Sequence, residues 1–372
     1  MTTVSLQMPR VGQPQPLPLP GRGCDCRSCA FWAGPDGRGG PATVEPLCSG
    51  SNSDCSYCSC SATEAGSPAG ACGGCPIRCG SRTDIAQWMA DVGGTLTFDD
   101  ITIDGALPEL PAFIPMTDGS NVTQLDASLR WPAYGVGLRR VFSPDTHSIY
   151  PRFAGKQARE VLALREGQKA VLVGYGEDPL VEALWTYRKR DGLVEEIAAQ
   201  GWDLVLAPNY SIYGNWPRTE HLLNMRRCLL IAQELADAGV PTVPNIYWFR
   251  LEDLERYTSW IEDAPPPAIA VNLQTVRENS NWDTWALPGL YWLAENLPAD
   301  MPIILTGLSR IDRIAQVVAL FGNRLTLVSQ NPHQYALHGA IMTANGREDV
   351  HARPGDAFAS TVQFMASLLP PR

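Results

Sequence analysis

From residue 111 onward the chain repeats one pattern, a short apolar run, a loop, and then an amphipathic stretch with helical period. Parallel strands joined by crossover helices read this way, because strands buried on both faces are continuously apolar. Eight runs qualify: PAFIP (111–115), GLRRVF (137–142), AVLVG (170–174), DLVLA (203–207), TVPNIY (242–247), AIAVNL (268–273), PIILT (302–306) and LTLVS (325–329). Helical patterns fall between them at 154–164, 179–200, 219–238, 251–263, 284–296 and 309–322, with a last one at 356–369. In the clearest, Thr219 to Ala238, residues Leu222, Leu223, Leu229, Leu230 and Leu235 form one apolar face ahead of Gly239, a C-cap residue. Eight such units predict a (β/α)8 TIM-like barrel, a fold that typically takes about 250 residues. An open doubly wound sheet is the alternative.

The barrel is expected over 82–372, entered through a helix capped by Thr83 and an alternating run, Leu96, Phe98, Ile101 and Ile103, read as a hairpin connector. Two segments ahead of it cannot share its core. Residues 1–23 carry Pro14, Pro16, Pro18 and Pro20 at every second position, which favours an extended arm. Residues 24–81 hold ten of the 11 cysteines among Gly, Ser and Pro, too few large aliphatics to fold on burial alone.

Those cysteines are clustered as Cys24, Cys26 and Cys29, then Cys48, then Cys55, Cys58 and Cys60, then Cys72, Cys75 and Cys79. Thiolates a few residues apart can be presented to one ion by a single turn, so a small metal-binding segment is expected. Its cofactor is zinc or an iron-sulfur cluster, which spacing does not separate. The segment has no histidine, so its sites are all-cysteine, and ten thiols suffice for about two four-ligand sites. A disulfide framework would need an oxidising compartment, and the opening MTTVSLQMPR lacks the apolar stretch of a secretory signal. Cys228, inside the long helix, reads as a small buried apolar residue.

A net charge of -10 argues against a protein held on nucleic acid mainly by electrostatics. No run of about 18 apolar residues occurs, so no membrane partner and a cytoplasmic location are expected. Oligomeric state is not legible.

In a (β/α)8 barrel, chemistry gathers at the C-terminal ends of the strands, where every βα loop opens on one mouth. In strand order the loops supply Thr117 and Asp118; Ser143, Asp145 and His147; Tyr175, Glu177 and Asp178; Asn209, Tyr210, Ser211, Ile212 and Tyr213; Trp248 and Arg250; Asn272, Gln274 and Arg277; Ser309 and Arg310; and Gln330, Asn331 and His333. Amides can satisfy the donors and acceptors on the edge of a planar heterocycle, and aromatic rings can stack on its face. The candidate substrate-binding residues are therefore Asn209, Tyr210, Ser211, Tyr213, Arg227, Trp248, Asn272, Gln274, Gln330 and Asn331. Asp145, Glu177 and Asp178 are the candidate catalytic carboxylates, as nucleophile or base near an oxocarbenium-like centre. Asp178, just before Pro179 and a helix, reads equally well as a cap. Asn224 and Arg227 share one helix face and could brace the fourth loop or reach a ligand.

The stretch from Trp202 to Trp248 resembles the core of a family of phage and actinobacterial proteins with no assigned activity. Asn209, Tyr210, Ser211, Ile212, Tyr213, Pro217, Asn224 and Arg227 carry that resemblance. More distantly, a barrel with a Cys-x-Cys-x-x-Cys site, here Cys24, Cys26 and Cys29, is similar to the tRNA-guanine transglycosylases. In those enzymes the cysteines follow the late strands, a histidine completes the zinc site and an aspartate is the nucleophile. Here the cysteines precede the barrel, and the eighth run ends in Ser329-Gln330-Asn331.

Three functions are consistent with these residues. The first is an enzyme that exchanges or cleaves a glycosidic bond, with a small-molecule base or nucleoside, or nucleic acid, as its partner. The second is an iron-sulfur redox enzyme. The third is a non-catalytic metal module, of phage or plasmid origin, that binds nucleic acid or protein.

Overall fold

A computed structural model of the chain describes residues 85–371 except 120, 127, 128, 144 and 213–217. The arm over 1–23 and the cysteine segment over 24–81 lie outside the described residues.

Eight parallel strands form one sheet: β1 Phe113–Thr117, β2 Ala133–Gly137, β3 Lys169–Val173, β4 Leu204–Leu206, β5 Thr242–Val243, β6 Ile269–Asn272, β7 Ile303–Thr306 and β8 Leu325–Ser329. Their order is β5-β4-β3-β2-β1-β8-β7-β6, with parallel registers such as Phe113↔Leu327 and Tyr134↔Ala170. The two edges meet at one parallel bridge, Asn245↔Ala270, where the Ile246 N–H donates to the Ala270 carbonyl and the Ala270 N–H to that of Pro244, each at 2.9 Å. The result is a nearly closed, barrel-like sheet. Pro244 has no N–H to give to a ladder, which is why β5 stops after two residues and the seam is so short.

Alternate residues on each strand sort into two apolar layers. Ile114, Met116, Val171, Val173, Leu204, Leu206, Val243, Ala270, Ile304 and Val328 pack together inside the ring. The residues between them, among them Phe113, Tyr134, Leu172, Val205, Ile269, Leu305 and Leu327, pack outward against the helices. Leu107 and Leu110 lie against the inner layer and cover its N-terminal end.

The helices around the ring are α1 Ile85–Asp91, α2 Val122–Leu125, α3 Ala158–Val161, α4 Asp178–Tyr187, α5 Leu193–Ala199, α6 Arg218–Asp237, α7 Leu251–Asp263, α8 Leu287–Asn296, α9 Ile311–Phe321, α10 Asn331–Leu337 and α11 Pro354–Ser367. Gly192, at φ +64°, separates α4 from α5 where one helix over 179–200 was expected. A π-helical turn, Trp282–Ala286, leads into α8. No helix among the described residues is long and apolar enough to cross a membrane.

The second strand differs from expectation. It is Ala133–Gly137, and the expected run GLRRVF forms a 3-10 turn, Leu138–Arg140, followed by a small antiparallel pair, Phe142–Ser143 with Ser148–Ile149. Gly135 and Gly137 give β2 little strand propensity, and a Cβ at Gly135 would lie 3.1 Å from the Met116 Cγ, a tight approach that Met116 would have to yield to. The run Leu96 to Ile103 forms no strand pair among the described residues. Its four apolar residues are buried all the same, Phe98 against Tyr257 with ring centroids 5.4 Å apart.

That entering segment is held by Arg226, a fully buried residue of α6. Its Nε donates to the Val92 carbonyl, its two terminal nitrogens to the Asp100 carboxylate, all at 2.6 Å, and Nη1 also to the Thr97 carbonyl. Replacing Arg226 by Met keeps the stem but leaves two carbonyls without a charged donor, a loss of about 2–3 kcal/mol in denaturant unfolding. Asp100→Asn costs less than Arg226→Met, because the Asp100 side chain is 56% exposed and an amide oxygen there can still accept from the guanidinium.

Candidate active site at the barrel mouth

Continuing each strand's inward alternation by one position beyond the inner layer gives the residues that face the mouth. They are Asp118 after Met116, Tyr175 after Val173, Pro208 after Leu206, Asn245 after Val243, Asn272 after Ala270, Thr306 after Ile304 and Gln330 after Val328. β2 contributes only Gly137, where an added Cβ would meet nothing within 4 Å except the Met116 Cε at 3.7 Å. Gly137 therefore leaves open space above β2.

Asn245 is fully buried, and neither end of its amide makes a hydrogen bond of normal geometry, its neighbour within reach being the Tyr175 hydroxyl. The Tyr175 hydroxyl adjoins it, also buried and without a bond of normal geometry, and burial pushes that phenol well above its ordinary value. Next along the ring, the Asn272 Oδ1 accepts from the Thr306 hydroxyl at 3.2 Å and from the Gln274 N–H at 3.0 Å. Gln274 and Gln330 are exposed at the rim. Asn331 opens α10, its N–H donating to the Ser329 hydroxyl at 3.2 Å.

The carboxylate in this ring is Asp118. Its Oδ1 lies 2.9 Å from the Arg140 Nη2 and 3.8 Å from the His333 Nδ1. Asn121 Nδ2 lies 3.0 Å from the other ring nitrogen, Nε2. With Asn121 as donor there, the ring proton sits on Nδ1 and faces Asp118. Burial is the main cause that holds His333 below its ordinary value, Asp118 raises it and Arg140 lowers it further.

The expected carboxylates are placed differently. Asp145 is exposed in the turn of the small hairpin, whose His147 ring stacks on Tyr187 at 3.8 Å. Tyr187 ends α4 and Asp178 begins it, so nine residues, about 14 Å of helix, separate the ends where these two acids lie. Glu177 is exposed and paired with Arg139. Asp178 accepts a hydrogen bond from the Ser211 hydroxyl at 2.6 Å, which ties the third loop to the fourth at the rim.

Most of the fourth-loop residues are turned into packing. Asn224 Nδ2 donates to the Ser211 carbonyl at 2.7 Å, Arg227 donates to Asn224 Oδ1 at 2.9 Å, and its two terminal nitrogens bond Glu182 at 2.9 and 2.7 Å. The Arg227 guanidinium also lies 3.8 Å from the centre of the Tyr210 ring. Both residues are fully buried, so they brace the loop. Beneath them the Tyr210 N–H meets the Cys228 sulfur at 3.3 Å, and burial pushes that thiol up to about 12. Asn209 is half-buried with its amide oxygen unpartnered, and Tyr213 lies outside the described residues. Trp248 is fully buried, stacked on Trp285 with centroids 5.1 Å apart and pressed against Gly289, where a Cβ would sit 2.3 Å from its ring.

The structure thus brings Asn272, Gln274, Gln330 and Asn331 to the mouth, sets Asn209, Ser211 and Asp178 at its edge, and keeps Asp145, Tyr210, Arg227 and Trp248 away from it. Asp118, Arg140, Tyr175, Asn245 and His333 join it without having been singled out. Asn245 could have been found as the one amide on the inward alternation of TVPNIY. The ten cysteines lie outside the described residues, and among the described residues no group of three or more potential ligands could hold a metal ion.

A cleft of about 550 Å³ opens at the other end of the ring, lined by Leu107, Leu110, Pro302, Ile304, Arg324 and Thr326. Asp300 and Asn323 also line it, and Arg324 is engaged there with the carbonyls of Pro298 and Ala294, at 2.9 and 3.0 Å.

His333 makes stability depend on pH. Its folded value is lowered from the ordinary 6.5, so on acidification the unfolded chain takes up the proton first. Its contribution is intact above about 6.5 and is lost as pH falls from there through the folded value. Urea unfolding at pH 7.5 and 5.5 is expected to show a larger drop for the wild type than for His333→Gln. No protein-family model matches this chain and no curated protein matches it, so the chemistry of the mouth rests on its own residues.

Proposed function

We propose that the chain is an enzyme that cleaves or exchanges the glycosidic bond of a nucleobase-bearing substrate at the barrel mouth, with a cysteine-held metal segment ahead of the barrel. The observation that carries this reading is Asn245. A buried amide that lacks well-formed hydrogen bonds costs about 1–3 kcal/mol for each group left unsatisfied, and such groups persist where a ligand or ordered water completes them. An amide offers one donor and one acceptor side by side, the complement of a base edge. Asn272, Gln274 and Gln330 extend the same chemistry around the ring.

Asn245→Leu separates recognition from structure. Replacing an unsatisfied amide by an apolar group of similar size is close to neutral for stability or raises it. We expect the variant to unfold no more easily than the wild type, and its affinity for adenine, guanine, cytosine or uracil to fall at least about tenfold in calorimetry, or about 1.4 kcal/mol. Equal binding by variant and wild type, or binding of none of the four bases at millimolar concentration, would overturn the reading.

The cysteines are tested by elemental analysis of the whole chain purified without oxygen. Two four-thiolate sites predict about two zinc ions per chain. Iron with absorption near about 400 nm would instead identify clusters. A preparation free of both metals rules the metal segment out.

A further inference from the structure

Glycosidic cleavage needs a group that accepts a proton from the attacking water, and this rests on the reading just given. We propose that Asp118 is that group, with His333, Arg140 and Asn121 as its positioning residues. Three features point to it. First, Asp118 occupies the inward position directly after Met116, beside the space left open by Gly137. Second, its two oxygens are treated differently. Oδ1 takes both the Arg140 guanidinium, at 2.9 Å, and the facing His333 nitrogen, at 3.8 Å, while Oδ2 has no hydrogen bond from the described residues. Third, the side chain is 35% exposed whereas that of His333 is 3% exposed, so the carboxylate can touch a substrate and the imidazole acts only through it.

The anchoring is layered. Asn121 fixes the His333 ring from the residue ahead of α2, His333 and Arg140 fix Oδ1 from α10 and the turn after β2, and Oδ2 is left without a hydrogen bond from the described residues. A carboxylate held by one oxygen loses little freedom when the other takes a proton, which is the preorganisation that general-base catalysis requires. The other acids near the mouth lack this arrangement: Glu177 swings on the surface with Arg139, and Asp178 is bonded to Ser211.

In the hydrolytic step a water oxygen bonds to the anomeric carbon as its proton passes to Asp118 Oδ2. The electron pair of the breaking carbon–nitrogen bond goes to the base, whose nitrogen is protonated from solvent. Asp118 then returns its proton to solvent. In base exchange an incoming base replaces water, and its N–H proton follows the same route.

The test uses the full chain with adenosine, guanosine, cytidine, uridine and their 2′-deoxy forms, reading free base by chromatography. Asp118→Asn is expected to lower kcat by about 10²- to 10⁴-fold, the range for loss of a general base, with nucleoside binding and the thermal midpoint retained. In Asp118→Ala, added formate restores part of the turnover by supplying the missing carboxylate, which a structural role does not allow. His333→Gln lowers kcat and leaves KM unchanged. Turnover of Asp118→Asn within tenfold of wild type overturns the assignment, and if Asn245→Leu abolishes base release in that same case, the nucleobase reading itself stands. Release of no base by the wild type from any of the eight nucleosides overturns both.

Discussion

The organising constraint is a parallel sheet buried on both faces and bent until its edges meet. Burial on both faces requires every strand to be apolar throughout, and the bend gives each strand an inner and an outer set of side chains. Only when β5 reaches β6 through Asn245 and Ala270 do strands on opposite sides of the ring present their ends to one space. Asp118, just beyond β1, and Asn245, beyond β5, belong to strands four apart in the sheet, and near closure is what lets them face the same throat.

Around that ring, buried arginines do the work of fixing loops. Arg226 clamps the entering segment to α6, and Arg227, one residue later, braces the fourth loop through Asn224 and Glu182. Arg313 on α9 donates to the carbonyls of Val276, Arg277 and Glu278, at 2.5, 3.0 and 3.2 Å, and so sets the sixth loop that carries Gln274. A planar fork with five donors suits this task, because it can gather several carbonyls at once where a lysine would offer a single mobile point charge.

Much of the ring was legible because its strands are continuous apolar runs, and six of the eight overlap the expected spans closely. β2 was not, since Ala133, Gly135 and Gly137 make its inward face nearly bare and erase the signal of a strand. β5 was read too long, because Pro244 ends the ladder inside an otherwise strand-like run. The amides of the sixth and eighth loops were legible by position after their strands. Asp118 and His333 stood in the same loops, but their pairing joins residues more than 200 positions apart, and only the neighbouring of β1 and β8 reveals it. Trp248 and Arg227 looked like ligand groups because aromatic and cationic residues suit both binding and packing, and burial alone decides between them.

The bare inward face of β2 also determines what lies under the Asp118 carboxylate. Met116 leans across those glycines, its Cε near Gly137, and is only 6% exposed. An unbranched thioether turns about three bonds without disturbing the backbone, whereas valine or isoleucine there would present one rigid shape. The room beneath Asp118 can therefore change with the rotamer of one sulfur-bearing side chain, without any strand having to move.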